Sequence, residues 1–214
     1  LGVSKSDLNE LGGKKVNPIE WKKLLTEKKS VIIDTRNKYE ISIGSFKDSI
    51  NPNTNSFREF PKKFKELKIS KNSRIGMFCT GGIRCEKASA YLKAQGYKNV
   101  FQLDGGILNY FDNLKHTNKE EHWHGECFVF DDRVTVNKKL EKGTFLQCYG
   151  CRMPIKNKDT KSDKYIKGVS CPHCYDLRSK EQKKRSLIRQ TQIDNANKNK
   201  KKHPFKKITI HELL

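Results

Sequence analysis

The chain has 214 residues, with 45 Lys and Arg against 24 Asp and Glu for a net charge of +21, and 34% of it is hydrophobic. No apolar run approaches the ~20 residues of a spanning helix, which excludes a membrane protein, and eleven Phe, seven Tyr and two Trp suffice to seed a core, which excludes a wholly disordered chain. So large a positive charge favours an anionic partner, nucleic acid first.

Four regions differ in composition. Residues 1–16 are a polar lead-in that opens on Leu1-Gly2-Val3-Ser4 with no signal-like segment. They read as a linker from an upstream domain. Residues 17–115 alternate helical and strand patterns. Asn17 caps a helix with Pro18 at its first position and Glu20 in the capping-box place, running to about Lys28. Val31-Ile32-Ile33 is a buried strand ending at Asp34, and Arg74 to Phe78 is another. Gly81 and Gly82 precede a helix from about Cys85 to Gln95. Ala88, Tyr91, Leu92 and Gln95 lie on one side of it, and Gly96 stops it. Val100 to Leu103 is a third strand, and Gly105-Gly106 leads into a short helix. This order predicts an α/β fold with a mainly parallel sheet flanked by helices.

Residues 116–177 hold five of the seven Cys and four of the six His. Cys148-x-x-Cys151 and Cys171-x-x-Cys174, nineteen residues apart, have the spacing of a zinc ribbon with one tetrahedral Zn²⁺. Four thiolates leave no open position, so the predicted role is structural. The polar segment between the pairs needs such a staple to fold. His122, His124 and Cys127 also lie close together, but the alternation Cys127-Phe128-Val129-Phe130 reads better as a strand with a core Cys. His173 is read as a spectator. Seven Cys without a secretory signal suit a reducing, cytoplasmic setting.

Residues 178–214 form a basic tail; residues 178–207 carry 12 Lys and Arg against 2 Asp and Glu. Residues 180–193 read as a helix with Leu187 and Ile188 as its apolar anchors, followed by a disordered Asn/Lys stretch. Lys183, Lys184, Arg185, Arg189, Lys200, Lys201 and Lys202 are the candidate contacts to RNA phosphates; Lys206 and Lys207 extend the run. No GxGxxG or P-loop is present, so no nucleotide cofactor is indicated.

The chemistry points to Cys79. It follows the Arg74–Phe78 strand, at the carboxyl end where parallel sheets gather ligands. Thr80-Gly81-Gly82-Ile83-Arg84 then leads into the helix. The glycines let successive backbone N–H groups turn toward one point, and such a nest at a helix start holds an anion and lowers a thiol pKa. Arg84 adds positive charge. Four residues separate Cys79 from Arg84, one fewer than in the similar loop of cysteine phosphatases, which suits a smaller anionic group than phosphate.

This segment resembles a rhodanese domain. Asp34-Thr35-Arg36 with Glu40, Ile43-Gly44-Ser45-Phe46, Ser49-Ile50-Asn51-Pro52 and Leu103-Asp104-Gly105-Gly106-Ile107 also match. Asp34, Arg36 and Glu40 read as an internal salt-bridge network that shapes the fold. The strings IDTRNKYEISIGSF, INPNTNSFREFP, MFCTGGIRCEKASAYL, LDGGILNYF and GECFVFDDRVTV, followed by two Cys pairs, resemble one branch: the rhodanese-containing tRNA uridine hydroxylases. The resemblance spans roughly residues 10–180. It implies oxygen-dependent formation of 5-hydroxyuridine at the wobble uridine, tRNA as partner, dioxygen as co-substrate, Cys79 as active-site residue and an N-terminal ferredoxin-like domain missing here. Cys85 either resolves an oxidised Cys79 or packs in the first helical turn. The alternative activity is a sulfurtransferase carrying a Cys79 persulfide.

Overall fold

A computed structural model describes residues 11–114 and 122–201. The chain divides into two compact units, Leu1–Gly143 and Thr144–Leu214. Their boundary lies well beyond the 115/116 border expected from composition, which itself falls outside the described residues. Strand pairing is the reason: the chain after residue 121 returns to the first unit.

In the first unit, β1 (Lys14–Val16) leads into α1 (Pro18–Thr26). The Asn17 side chain accepts from the Ile19 and Glu20 N–H groups at 3.0 and 2.9 Å, and Glu20 accepts from the Asn17 N–H at 3.1 Å. This capping box satisfies N–H groups that the helix itself leaves free. There follow β2 (Ser30–Asp34), α2 (Lys38–Ile41), β3 (Gly44–Phe46), α3 (Phe60–Glu66), β4 (Arg74–Phe78), α4 (Ile83–Ala94), β5 (Val100–Leu103) and α5 (Gly106–Leu114). The sheet has the order β1-β5-β4-β2 and every pairing in it is parallel.

Alternation along the strands sorts side chains to two faces. Ile32, Phe78 and Leu103 pack with Trp21, Leu24, Ile107, Tyr110 and Phe111 of α1 and α5. Ile33, Ile75, Met77 and Val100 pack with Phe60, Phe64, Cys85, Ala88 and Leu92 of α3 and α4. Ala88 and Leu92 of the expected helical side are buried, while Gln95 is exposed at the C-terminal cap of α4.

The returning segment completes the first face. β6 (Trp123–Gly125) pairs antiparallel with β3, setting Trp123 opposite Phe46. β7 (Cys127–Phe128) pairs with β8 (Thr135–Val136) in a hairpin. Cys127 is fully buried in this core. Burial pushes its thiol up to about 12, as befits an inert packing residue.

The second unit contains β9 (Leu146–Gln147) and β10 (Pro154–Ile155), paired antiparallel around the first Cys pair, and α6 (Lys180–Lys198). This helix runs beyond the expected 193. Leu187 and Ile188 do not anchor it: they are 53% and 51% exposed, while Ser186 and Gln190 are buried. The surface beneath offers carbonyls instead of apolar side chains. Arg178 donates to the Gly150 carbonyl and the Ser186 hydroxyl, and Arg189 to the carbonyls of Tyr149 and Gly168. Among the described residues no helix is long and apolar enough to cross a membrane.

Candidate active site and metal centre

Cys79 directly follows β4 and is 2% exposed. Its sulfur accepts from the Gly82 N–H at 3.1 Å. Of the two loop glycines only Gly82 has positive φ, +92°; Gly81 borders open space. The thiol is lowered to about 6, first by a hydrogen bond from the Cys85 thiol. Burial opposes this, while the Arg84 charge and the N–H groups of Cys85 and Arg84 assist it. A value that low favours the thiolate form at neutral pH. Cys85 is fully buried, packs among the helix residues and lies 3.5 Å from the Thr35 hydroxyl. Burial, and then its thiolate neighbour, push it well above the ordinary thiol range, so it stays a donor.

The loop is held from both sides. Arg84 donates in a fork to both Glu40 oxygens, each at 2.7 Å, and to Thr80 Oγ1 at 3.4 Å. Burial tends to lower the guanidinium pKa, but the Glu40 carboxylate outweighs it and raises the value. Thr80 in turn donates to the Phe128 carbonyl at 3.4 Å. At the start of α5, the Ile107 and Leu108 N–H groups donate to the Cys79 and Thr80 carbonyls at 2.9 and 3.1 Å. Gly106 makes that approach possible. Its φ is +65°, and a Cβ there would stand 2.5 Å from the Cys79 carbonyl oxygen.

Asp34, Arg36 and Glu40 are all fully buried, but they form two ion pairs with different tasks. Arg36 pairs with Asp34 at 2.7 Å and donates to the Gly44 carbonyl at 2.6 Å; Ser45 donates to Asp34 at 2.7 Å. This pair ties the end of β2 to β3. Glu40 instead holds Arg84, 44 residues away. It joins α2 to the Cys79 loop, so it supports the site more directly than Asp34 or Arg36.

The four cysteines of the second unit meet. Their sulfurs lie within 4.8 Å of one another, with Cys148–Cys174 at 4.0 Å, Cys151–Cys171 at 3.9 Å and Cys171–Cys174 at 3.8 Å. Tetrahedral ligands at ~2.3 Å from a zinc ion would stand ~3.8 Å apart. The donor set fits a metal ion on chemistry as well, because four thiolates this close repel one another unless a cation sits among them. His173 takes no part; it faces Asp159 at 3.7 Å.

Lys183, Lys184, Arg185 and Arg189 lie on α6, and Lys200 and Lys201 follow it; Lys202 lies outside the described residues, as do Lys206 and Lys207. Sequence reasoning missed Arg178, which lines a cavity of about 160 Å³ with Gln182, Arg185, Ser186 and Arg189. The signal was present in the spacing. Residues 182, 185, 186 and 189 recur at three- and four-residue steps on one face of α6, and Arg178 stands four residues before Gln182, just ahead of the helix cap.

Residues 17–113 match the family model for the rhodanese-like domain. The tRNA uridine(34) hydroxylase of Pelagibacter ubique (strain HTCC1062) is 49% identical over 207 residues, covering 97% of this chain and 67% of that protein. Among solved structures, a rhodanese-related protein from Thermoplasma volcanium is 23% identical, covering 47% of this chain and 92% of its own, with a TM-score of 0.40. A rhodanese-like domain protein from Staphylococcus aureus is 26% identical over 45% of this chain and 90% of its own, with a TM-score of 0.39. The extent and identity of the match to the Pelagibacter enzyme place this chain in the tRNA uridine(34) hydroxylase family.

Proposed function

We propose that the protein hydroxylates the wobble uridine of tRNA at C5, with Cys79 as the reactive residue and dioxygen as the oxidant. One oxygen atom enters the C5–H bond. The other leaves as water, with two electrons and two protons from an external reductant. The relation to the Pelagibacter enzyme carries the reaction class. The Gly82 N–H on the Cys79 sulfur, with the Cys85 thiol beside it, supports Cys79 as the residue that meets the substrate. Thr80, Gly81, Gly82, Ile83 and Arg84 form its cradle, Glu40 fixes Arg84, and Asp34 with Arg36 holds the strand ends beneath.

The cysteine cluster is a structural zinc site in this reading, because four thiolates fill a tetrahedral ion and leave nothing for substrate. The α6 residues Lys183, Lys184, Arg185 and Arg189, and Lys200 and Lys201 after them, contact tRNA phosphates. Arg185, on the cavity that Arg178 and Arg189 also line, offers a guanidinium suited to a phosphate diester. The protein then works where mature tRNA is, in the cytoplasm.

The test is nucleoside mass spectrometry of bulk tRNA from cells lacking the full-length protein. Complementation with wild type should restore 5-hydroxyuridine, and complementation with Cys79→Ala should not. If 5-hydroxyuridine persists while a thiolated nucleoside falls, the protein is a sulfur carrier acting through a Cys79 persulfide, and the hydroxylase reading is wrong.

A further inference from the structure

Among the described residues, three large apolar side chains of the first unit are strongly exposed: Ile19, Ile83 and Phe130. Two of them flank one guanidinium. Ile83, 70% exposed, is the chain neighbour of Arg84, and the Phe130 ring, 62% exposed, has its centroid 5.9 Å from the Arg84 Cζ. Arg84 belongs to the loop that cradles Cys79. An isolated exposed Phe needs no explanation. An exposed aromatic ring set against the one arginine of a reactive loop, with a second apolar side chain beside it, is a different arrangement.

Phe130 is also held in place. Its ring stands edge-on to the buried Phe128 at 5.1 Å and 82°, and Phe128 is edge-on to Tyr39 at 5.3 Å and 88°. The hairpin tip that carries it is closed by Val129 N–H donating to the Val134 carbonyl at 2.9 Å and Val134 N–H to the Asp131 carbonyl at 3.2 Å. An ion pair of Arg133 with Asp131, at 2.7 Å, spans the same turn. The bond from Thr80 to the Phe128 carbonyl ties this hairpin to the Cys79 loop itself. At Gly81 a Cβ would meet no atom within 4 Å, so the loop is open at that position.

We propose that Phe130 is the stacking platform for the target uracil, receiving the base when it leaves the anticodon loop and holding it over the Thr80–Arg84 loop. The inference rests on the proposed tRNA reading. Enzymes that act on a base take it out of its stack and read it between aromatic or apolar side chains, and single-stranded RNA is commonly bound by bases laid on aromatic rings and guanidinium planes. Phe130 and Arg84 supply one of each, and Ile83 supplies an apolar edge. Phe130 is a positioning residue: it holds the ring that Cys79 addresses.

The experiment uses the full-length protein and two readouts. In the first, Phe130→Ala lowers kcat/KM for tRNA about 10- to 100-fold, the range of base–aromatic stacking. Phe130→Tyr or Phe130→Trp restores it, and Phe130→Leu does not. The acid limb of the pH profile stays where wild type has it, because Glu40 still holds Arg84 and the Gly82 N–H still donates to Cys79. In the second, an anticodon stem-loop carrying a fluorescent pyrimidine analogue at position 34 is titrated with protein. Wild type quenches the emission by stacking and Phe130→Ala does not. Wild-type kcat/KM in Phe130→Ala, rescue by Leu equal to that by Tyr, or quenching unchanged in Phe130→Ala overturns the proposal. The second readout needs no turnover. A protein that quenches without hydroxylating therefore keeps the platform and loses the reaction reading, and one that hydroxylates with quenching independent of Phe130 does the reverse.

Discussion

Up to Gly143 the chain buries Trp21, Phe46, Phe78, Tyr110, Phe111 and Trp123 on one face of a four-stranded sheet, and Phe60, Phe64, Ile75 and Met77 on the other. From Thr144 the buried cluster is Ile155 with the sulfurs of Cys148, Cys171 and Cys174. The first unit is stabilised by many apolar contacts of similar size, so no single one decides whether it folds. The second concentrates its cohesion at one point. The two also handle sulfur differently. In the first, one thiolate is stabilised by a thiol, backbone N–H groups and a guanidinium. In the second, four sulfurs crowd together in a donor set that fits a cation.

Removing that cation is the largest way to break the comparison. Structural zinc contributes about 10–16 kcal/mol of apparent folding free energy in small modules. A chelator at neutral pH should therefore abolish amide-exchange protection from Thr144 to Lys198 and leave β2, β4 and β5 protected. Metal analysis of the same sample gives the stoichiometry, expected to be one zinc per chain. Full protection of the second unit in metal-free protein would show that the cysteines pack without an ion.

The complementary change is Phe46→Ala. Phe46 is 1% exposed, with aromatic centroids at 4.8 Å (Phe78), 4.9 Å (Tyr110), 5.1 Å (Trp123) and 5.8 Å (Trp21). Its truncation should cost the first unit about 3–5 kcal/mol. In urea titrations its midpoint falls while the metal-bound second unit keeps its own. Equal losses in both would mean that they unfold together.

The same contrast explains what could be read from the sequence. Local signals were legible: the Asn17 capping box, the β4 and β5 boundaries, the short helix after Gly105-Gly106, and the Cys pairs whose spacing carries their geometry. Pairings across long stretches of chain were not. Nothing near Gly44–Phe46 indicates that it pairs with Trp123–Gly125, so the extension of the compact unit past the rhodanese-like segment is not legible. Nothing near Glu40 indicates Arg84. β1 escaped notice because a three-residue edge strand reading Lys-Lys-Val shows no apolar run. Leu187 and Ile188 misled because apolar residues on a helix are ordinarily its buried face, whereas α6 rests on hydrogen bonds to backbone carbonyls.

Cys85→Ala sharpens the sulfur comparison. It deletes the first-ranking cause of the low Cys79 value and leaves the charge of Arg84 and the backbone donors. The folded Cys79 value is about 6 against an ordinary 9, so activity that needs the thiolate rises with pH through about 6 in wild type. In Cys85→Ala this limb moves to higher pH. The variant is impaired most near neutrality and approaches wild type in alkali. Stability has the same sign: the depressed value favours the folded state at high pH, and that contribution is lost as pH falls through about 6. Site-resolved alkylation of Cys79 across pH measures the shift directly, and an unmoved midpoint would remove Cys85 from the account of the thiolate.

The smallest expected effect tests whether the second unit touches RNA at all. Arg178 and Arg189 are engaged with backbone carbonyls, so replacing them would disturb the seating of α6. Arg185 lines the same cavity and is exposed, which makes it the arginine to change. Arg185→Gln should leave the unfolding midpoint of the second unit unchanged. A single lost phosphate contact weakens tRNA binding evenly across sequences and flattens the plot of log affinity against log salt by about 0.7–0.9. The affinity change itself is modest, so the slope is the better readout. An unchanged slope would mean that α6 serves only to cover the cysteine cluster, and that the tRNA is held by the positive charge outside the 178–207 segment, which amounts to +11 (33 Lys and Arg less 22 Asp and Glu).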